Sequence, residues 1–245
     1  MELTDDHILG GRVRLRQSKA GYRAGLDAAL LAAACDAGPG ERVLDAGCGV
    51  GAVMLAAAVR LPGASFVGIE NDAGAVELAH ANIAANGLEH RVSVIACDID
   101  VPFAQAGLAP FDAALANPPF FDDPAALRGP HPAKRRAWIA SQGLGAWAAF
   151  LLKAVRQGGS ITVIHRADRL AEILGLLASG AGSFQIRPVQ PFADATAKRI
   201  LVRAIKNGKA PLRLLPALVL HAPGEGKHTA GAEAILRGRE ILPWT

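Results

Sequence analysis

Strand-like and helix-like runs alternate along most of this 245-residue chain, which predicts a doubly wound α/β sheet, mostly parallel, closed by an antiparallel strand pair. Two further observations point the same way. A glycine-rich turn separates the first strand and first helix of the alternating series, and acidic or amide residues recur at the ends of successive strands. In open sheets of this kind ligands bind outside the carboxyl ends of the strands.

The elements follow in order. "GGRVRLRQ" alternates Arg12, Arg14 and Arg16 with Val13 and Leu15, a period of two that puts the arginines on one, solvated, face of a strand. "AGLDAALLAAACDA" reads as a helix stopped by Gly38-Pro39-Gly40. The alternation begins there: "RVLDAG" is a strand, "GAVMLAAAVR" a helix, "SFVGIE" a strand, "DAGAVELAHANIAANG" a helix, and "RVSVIACD" and "FDAALA" strands. "GAWAAFLLKAV" is a helix, "GSITVIH" a strand and "RADRLAEILGLLAS" a helix, after which "FQIRPVQP" and "RILVRAIK" form the antiparallel closing pair. "KNGKAP" is the one boundary signal, and the short segment after it is expected to dock as a strand and a helix. The predicted organisation is a single domain. Residues 1–40 give an N-terminal hairpin and helix, 41–206 a ligand-binding core and 207–245 a docked extension.

Composition narrows the function classes. Apolar residues make up 51% and aromatics 5%, so the core is aliphatic and alanine-rich, and the length suffices to bury it without staples. The longest apolar runs, "AALLAAAC" and "AVMLAAAV", fall far short of the ~18 residues that read as a membrane span. "MELTDDH" has no signal-peptide character, and a cytoplasmic location with no membrane partner is expected. Cys35, Cys48 and Cys97 are scattered, and the seven histidines form no ligand pair at helical spacing. Neither a disulfide framework nor a metal site is predicted, and most histidines are expected at the surface or in packing. The formal charge of +4 permits a polyanionic partner without requiring one.

"VLDAGCGVGAV" places Gly47, Gly49 and Gly51 at the first strand–helix turn, where glycine allows positive φ and close approach to a ligand. The loop alone fits both a nicotinamide dinucleotide and S-adenosylmethionine. Asp45 favours the second, because a carboxylate at this mouth repels a pyrophosphate and attracts an ammonium group, directly or through water. Glu70, ending "FVGIE", can accept from both hydroxyls of a ribose, and Asp98, ending "VIACD", from an adenine amino group.

The fourth strand runs into Asn117-Pro118-Pro119-Phe120. Two prolines can continue neither strand nor helix, and the residue before a proline is pushed toward extended geometry, so this is a rigid corner beside the cleft. Here the chain resembles the class I S-adenosylmethionine-dependent methyltransferases that carry Asn-Pro-Pro-Tyr or Asn-Pro-Pro-Phe and methylate planar nitrogens. The resemblance covers roughly residues 21–206. "GYRAGLDAALLAA" and "KRRAW" make it most similar to the valine tRNA (adenine-N6) methyltransferases.

The resemblance implies a Rossmann-like core, S-adenosylmethionine as cofactor and a catalytic corner of Asn117, Pro118, Pro119 and Phe120. An exocyclic amino nitrogen shares its lone pair with the ring, so the site must accept its N–H bonds, through the Asn117 side-chain oxygen and the Pro118 carbonyl. Phe120 offers a face for an extruded base. Asn117 also adjoins the cofactor.

The substrate implied is an adenine N6 in RNA, most closely in a tRNA anticodon loop, with Arg128, Lys134, Arg135 and Arg136 as the nucleic-acid-binding cluster, His131 and Trp138 beside it, and Arg199 and Arg203 unassigned in role. Another planar nitrogen, such as a protein glutamine amide, or a non-catalytic RNA-binding role for the same fold, remains an alternative, and oligomeric state is not given by the sequence.

Overall fold

The structure, a computed structural model, describes residues 2–19, 25–120, 143–224 and 227–245. It opens with an antiparallel hairpin, β1 (Leu3–Ile8) and β2 (Val13–Ser18), and helix α1 (Leu26–Ala33). The alternating core follows: β3 (Arg42–Ala46), α2 (Ala52–Arg60), β4 (Ser65–Glu70), α3 (Ala73–Ala85), β5 (Val92–Ala96) and β6 (Phe111–Ala116). After α4 (Gly143–Ala154) come β7 (Val155–Arg166), α5 (Leu170–Leu177), β8 (Ala181–Gln190) and β9 (Arg199–Lys206). Two short strands, β10 (Arg213–Leu214) and β11 (Leu218–Val219), and helix α6 (Ala230–Leu236) finish the chain.

Among the described residues one nine-stranded sheet runs β10-β8-β9-β7-β6-β3-β4-β5, with β11 also paired to β8. The strands β5, β4, β3, β6 and β7 are mutually parallel, and β9 is the strand that runs against β7 and β8. The predicted mostly parallel sheet with an antiparallel closing pair is the one observed. Successive residues serve opposite layers. Val43, Ala113 and Leu115 pack with α1, α2 and α3, whereas Leu44, Ala46, Ala114 and Ala116 pack with α4 and α5.

The hairpin behaves as its alternation predicts: Val13, Leu15 and Gln17 are buried, and Arg14 and Arg16 exposed. Its outer edge is covered by side chains. Asn82 of α3 accepts from the Arg16 N–H at 2.7 Å and donates to the Arg16 carbonyl at 2.9 Å, and Asn86, one turn on, does the same for Arg14 at 2.9 and 2.8 Å. An exposed strand edge is thereby paired without another strand.

Helix α1 ends at Ala33, short of the reach its composition predicts, and the C-terminal tail meets it there. The Leu242 N–H donates to the Ala33 carbonyl at 2.9 Å and the Trp244 Nε1–H to the Ala34 carbonyl at 2.8 Å. These bonds satisfy carbonyls that a helix end otherwise leaves open. Arg60 adds a second tie, donating to the Glu240 carbonyl at 2.8 Å and to that of Ile235.

Candidate active site

Strand register brings the sequence-predicted residues together. Ala46 of β3 pairs with Ala116 of β6 and with Ile69 of β4, and Glu70 pairs with Ala96 of β5. Gly47 and Asn117 are therefore each the first residue beyond one shared pair, on strands ~4.8 Å apart. Glu70 closes the neighbouring strand, and Asp98 lies two residues beyond the next. The glycine loop, the corner, Glu70 and Asp98 all leave the same edge of the sheet.

The loop itself is built on positive φ: +65° at Gly47, +55° at Gly49 and +90° at Gly51, where α2 begins. At Gly47 a side chain is excluded twice over, by that φ and by the Trp147 ring of α4, into which a Cβ would run. At Gly49 nothing lies within 4 Å of where a Cβ would stand. Close packing and open space thus alternate along the loop, and the open side is the side on which a ligand can meet bare backbone.

Glu70 fastens this loop. One carboxylate oxygen accepts from the Gly49 N–H at 2.9 Å, and the other from the N–H groups of Asn71 and Asp72, both at 2.9 Å. Asp98 accepts from the Asn71 side chain at 3.1 Å and from the Asp100 N–H at 3.0 Å. Each oxygen of an ionised carboxylate offers about two acceptor sites, so these bonds orient Glu70 and Asp98 without exhausting them. A nucleoside with ribose hydroxyls toward Glu70 fits this donor and acceptor set.

Asp45 is placed differently from the sequence expectation of a ligand-facing carboxylate. It is 1% exposed and accepts from the Met54 N–H in the first turn of α2 at 3.1 Å. Burial pushes its pKa up to about 7; the Met54 bond opposes this and the charge of Glu70 adds to it. Its observed work is to bind the start of α2 to the end of β3. Beneath the loop, Gly68 of β4 leaves room for the sulfur atoms of Cys48 and Met54, and burial drives the Cys48 thiol pKa far upward.

At the corner, Pro118 is buried, and Asn117 and Phe120 are half-buried. Pro118 and Trp147 share the lining of a small apolar cavity with Leu144, Ala148 and Val163. Sequence reasoning missed what holds Phe120. The His165 ring at the end of β7 meets it edge-on, with centroids 4.9 Å apart, and His165 Nε2 lies 3.4 Å from the Pro119 carbonyl oxygen. The Arg199 guanidinium covers one face of Phe120, 4.6 Å from its centroid, and pairs with Asp27 of α1 at 3.1 Å. A base stacking on Phe120 must use the opposite face or displace Arg199.

The one available signal for His165 was its position as a polar end to the apolar run "SITVI". It is 0% exposed, a site where an imidazole needs a reason to be. Arg203, unassigned in role from sequence, is committed to structure through Asp36 at 2.7 Å and Gln185 at 2.9 Å. Arg128, His131, Lys134, Arg135, Arg136 and Trp138 lie outside the described residues. Among the described residues no three metal-ligating side chains converge, and no helix is long and apolar enough to cross a membrane.

Comparison with known proteins gives a domain match and the fold. The methyltransferase small domain matches residues 23–128. A predicted O-methyltransferase of Agrobacterium tumefaciens superposes with a TM-score of 0.74 at 26% identity, over 88% of this chain and 98% of that one. Residues 23–128 thus match the methyltransferase small domain, on the Rossmann-like fold of class I S-adenosylmethionine-dependent methyltransferases. The chain is 28% identical over 82% of its length to the tRNA1(Val) (adenine(37)-N6)-methyltransferase of Pasteurella multocida, covering 77% of that protein. It is 29% identical over 64% of its length to the release factor glutamine methyltransferase of Chlorobaculum tepidum, covering 56% of that protein. It thus spans about half the length of that glutamine-methylating relative, and less of two others.

Proposed function

We propose that this methyltransferase modifies the exocyclic N6 of an adenine in RNA, in the anticodon loop of a tRNA. The observation carrying this reading is the register that sets the Asn117 corner and the glycine loop side by side, one residue beyond the shared pair Ala46–Ala116. S-adenosylmethionine brings an electrophilic methyl group on a sulfonium. Glu70 and Asp98 hold the nucleoside part, the first by its ribose and the second by its adenine. Gly49 and Gly51 admit it against bare backbone, and Asp45 acts through the first turn of α2.

Asn117 and the Pro118 carbonyl accept the two N–H bonds of the target amine. With S-adenosylmethionine bound, they would turn its lone pair toward the methyl and stabilise the positive charge that develops on nitrogen as the N–C bond forms and the S–C bond breaks, S-adenosylhomocysteine leaving as a neutral thioether and the methylated amine losing a proton to water; this fixed electrostatic arrangement needs little reorganisation. The prolines keep those acceptors in place, and Phe120, braced by His165 and Arg199, provides the surface for the base.

A glutamine amide poses the same chemical problem, and the glutamine-methylating relatives favour it as a second reading. RNA is preferred because the relative named for a tRNA adenine is matched over more of both chains. The test is transfer of label from S-adenosylmethionine to unmodified tRNA transcripts and to a glutamine-bearing release-factor peptide. Label on adenine N6 of tRNA is expected, and Asn117→Ala should lower the rate about 10²–10³-fold, the scale for deleting one oxyanion-hole donor. Label in the peptide alone would move the assignment to protein methylation.

A further inference from the structure

The sheet edge that carries the corner continues onto the antiparallel extension. Strands β8 and β11 run in the same direction as β7, so their last residues emerge on the side where β6 gives way to Asn117. There the pairing of β11 with β8 carries on beyond the strands. The Leu220 N–H donates to the Gln190 carbonyl at 2.9 Å and the His221 N–H to that of Pro191 at 2.9 Å. Thr229 N–H donates back to the Leu220 carbonyl at 2.8 Å, which brings His228 alongside His221.

Three rings result, in contact and on a rim. His221 and His228 stack with centroids 5.1 Å apart and planes 22° apart, and Phe192 leans on His221 at 5.5 Å. Phe192 is 45% exposed, and the turn presenting it is fastened by the Gln190 side chain, which donates to the Ala195 carbonyl at 3.0 Å. Lys198 closes the turn that carries Phe192, its N–H donating to the Val189 carbonyl at 3.0 Å, Lys227 immediately precedes His228, and both lysines are exposed. None of the three rings belongs to either hydrophobic core cluster.

We propose that Phe192, His221 and His228, with Lys198 and Lys227, form a second RNA contact, on which bases flanking the target stack while the lysines meet phosphate. The proposal rests on the RNA reading above and adds to it a docking surface. Ring faces accept any base, and interleaved cations follow the backbone, the combination by which single-stranded nucleic acid is held without sequence readout. From β6 to β11 there are four strand steps at ~4.8 Å each, about 19 Å. That separation corresponds to about five or six stacked nucleotides at ~3.4 Å each. A hairpin loop can bridge it while its target base lies at the corner.

The test uses the full chain with a fluorescently labelled, unmodified tRNA transcript. Binding is followed by anisotropy across a salt series, and S-adenosylmethionine binding by calorimetry. The double variant Phe192→Ala/His221→Ala should bind the transcript at least about tenfold more weakly with cofactor affinity unchanged. Lys198→Gln/Lys227→Gln should flatten the salt dependence, by up to about 0.7 in slope for each lost contact to single-stranded RNA. Wild-type-like affinity and salt slope in both variants would overturn the proposal while leaving the RNA reading intact. A wild-type protein that neither binds nor methylates tRNA would remove that reading, and the docking surface with it.

Discussion

At Glu70 one carboxylate accepts from the backbone of Gly49, Asn71 and Asp72 and is also the group proposed to hold a ribose. Removing it unties the loop and deletes two charge-assisted acceptors together. Glu70→Ala should therefore weaken S-adenosylmethionine binding at least about tenfold by calorimetry, with Gly49→Val losing it altogether because a β-branched residue cannot sit at that φ.

Asp45 predicts a pH effect of definite sign. Burial lifts its pKa from 3.8 to about 7 in the folded state, so between those values the unfolded chain ionises while the folded protein keeps its proton. Its contribution to stability is thus complete below pH ~4 and declines as pH rises to about 7, by roughly 4 kcal/mol at ~1.4 kcal/mol per unit. Relative to Asp45→Asn, the wild type without ligand should lose stability across that window in denaturant titrations. A constant difference between the two proteins would refute the assignment.

At the scale of elements, what could be read from sequence was what the chain decides locally. The glycine loop, the acidic strand ends and the double-proline corner each follow from backbone rules over a few residues, and strand alternation then predicts one edge for all of them. The brace around Phe120 was illegible for the opposite reason. Asp27, Phe120, His165 and Arg199 come from α1, the corner, β7 and β9, and only the strand order makes them neighbours. Asp45 was misplaced because a strand end looks exposed in sequence, whereas the next helix covers it.

The tail across α1 was equally non-local. Trp244 is 6% exposed and caps a helix more than two hundred positions away in sequence. Trp244→Ala should cost about 3–5 kcal/mol by loss of buried surface, and Trp244→Phe less. Chemical denaturation measures both.

For the whole molecule, the hairpin, α3 and the glycine loop are one connected unit. Asn82 donates to the Val50 carbonyl at 2.9 Å as well as to Arg16, so the side chain that covers the strand edge also holds the loop. Asn82→Ala should lower stability by about 1–3 kcal/mol through unsatisfied buried groups and weaken cofactor binding at a distance, both measurable on the same purified protein. Its companion carries a different liability. Asn86 precedes Gly87, a pair in which the glycine nitrogen readily attacks the asparagine side chain and releases ammonia. Here the Asn86 amide is spent on Arg14, and the Gly87 N–H donates to the Ala84 carbonyl at 3.0 Å, so both partners in that ring closure are restrained. The clamp that guards a strand edge therefore also slows that reaction at Asn86: each opening of the hairpin exposes Asn86 to conversion into an acid that has no N–H to return to Arg14, and ageing at this position should proceed one opened molecule at a time.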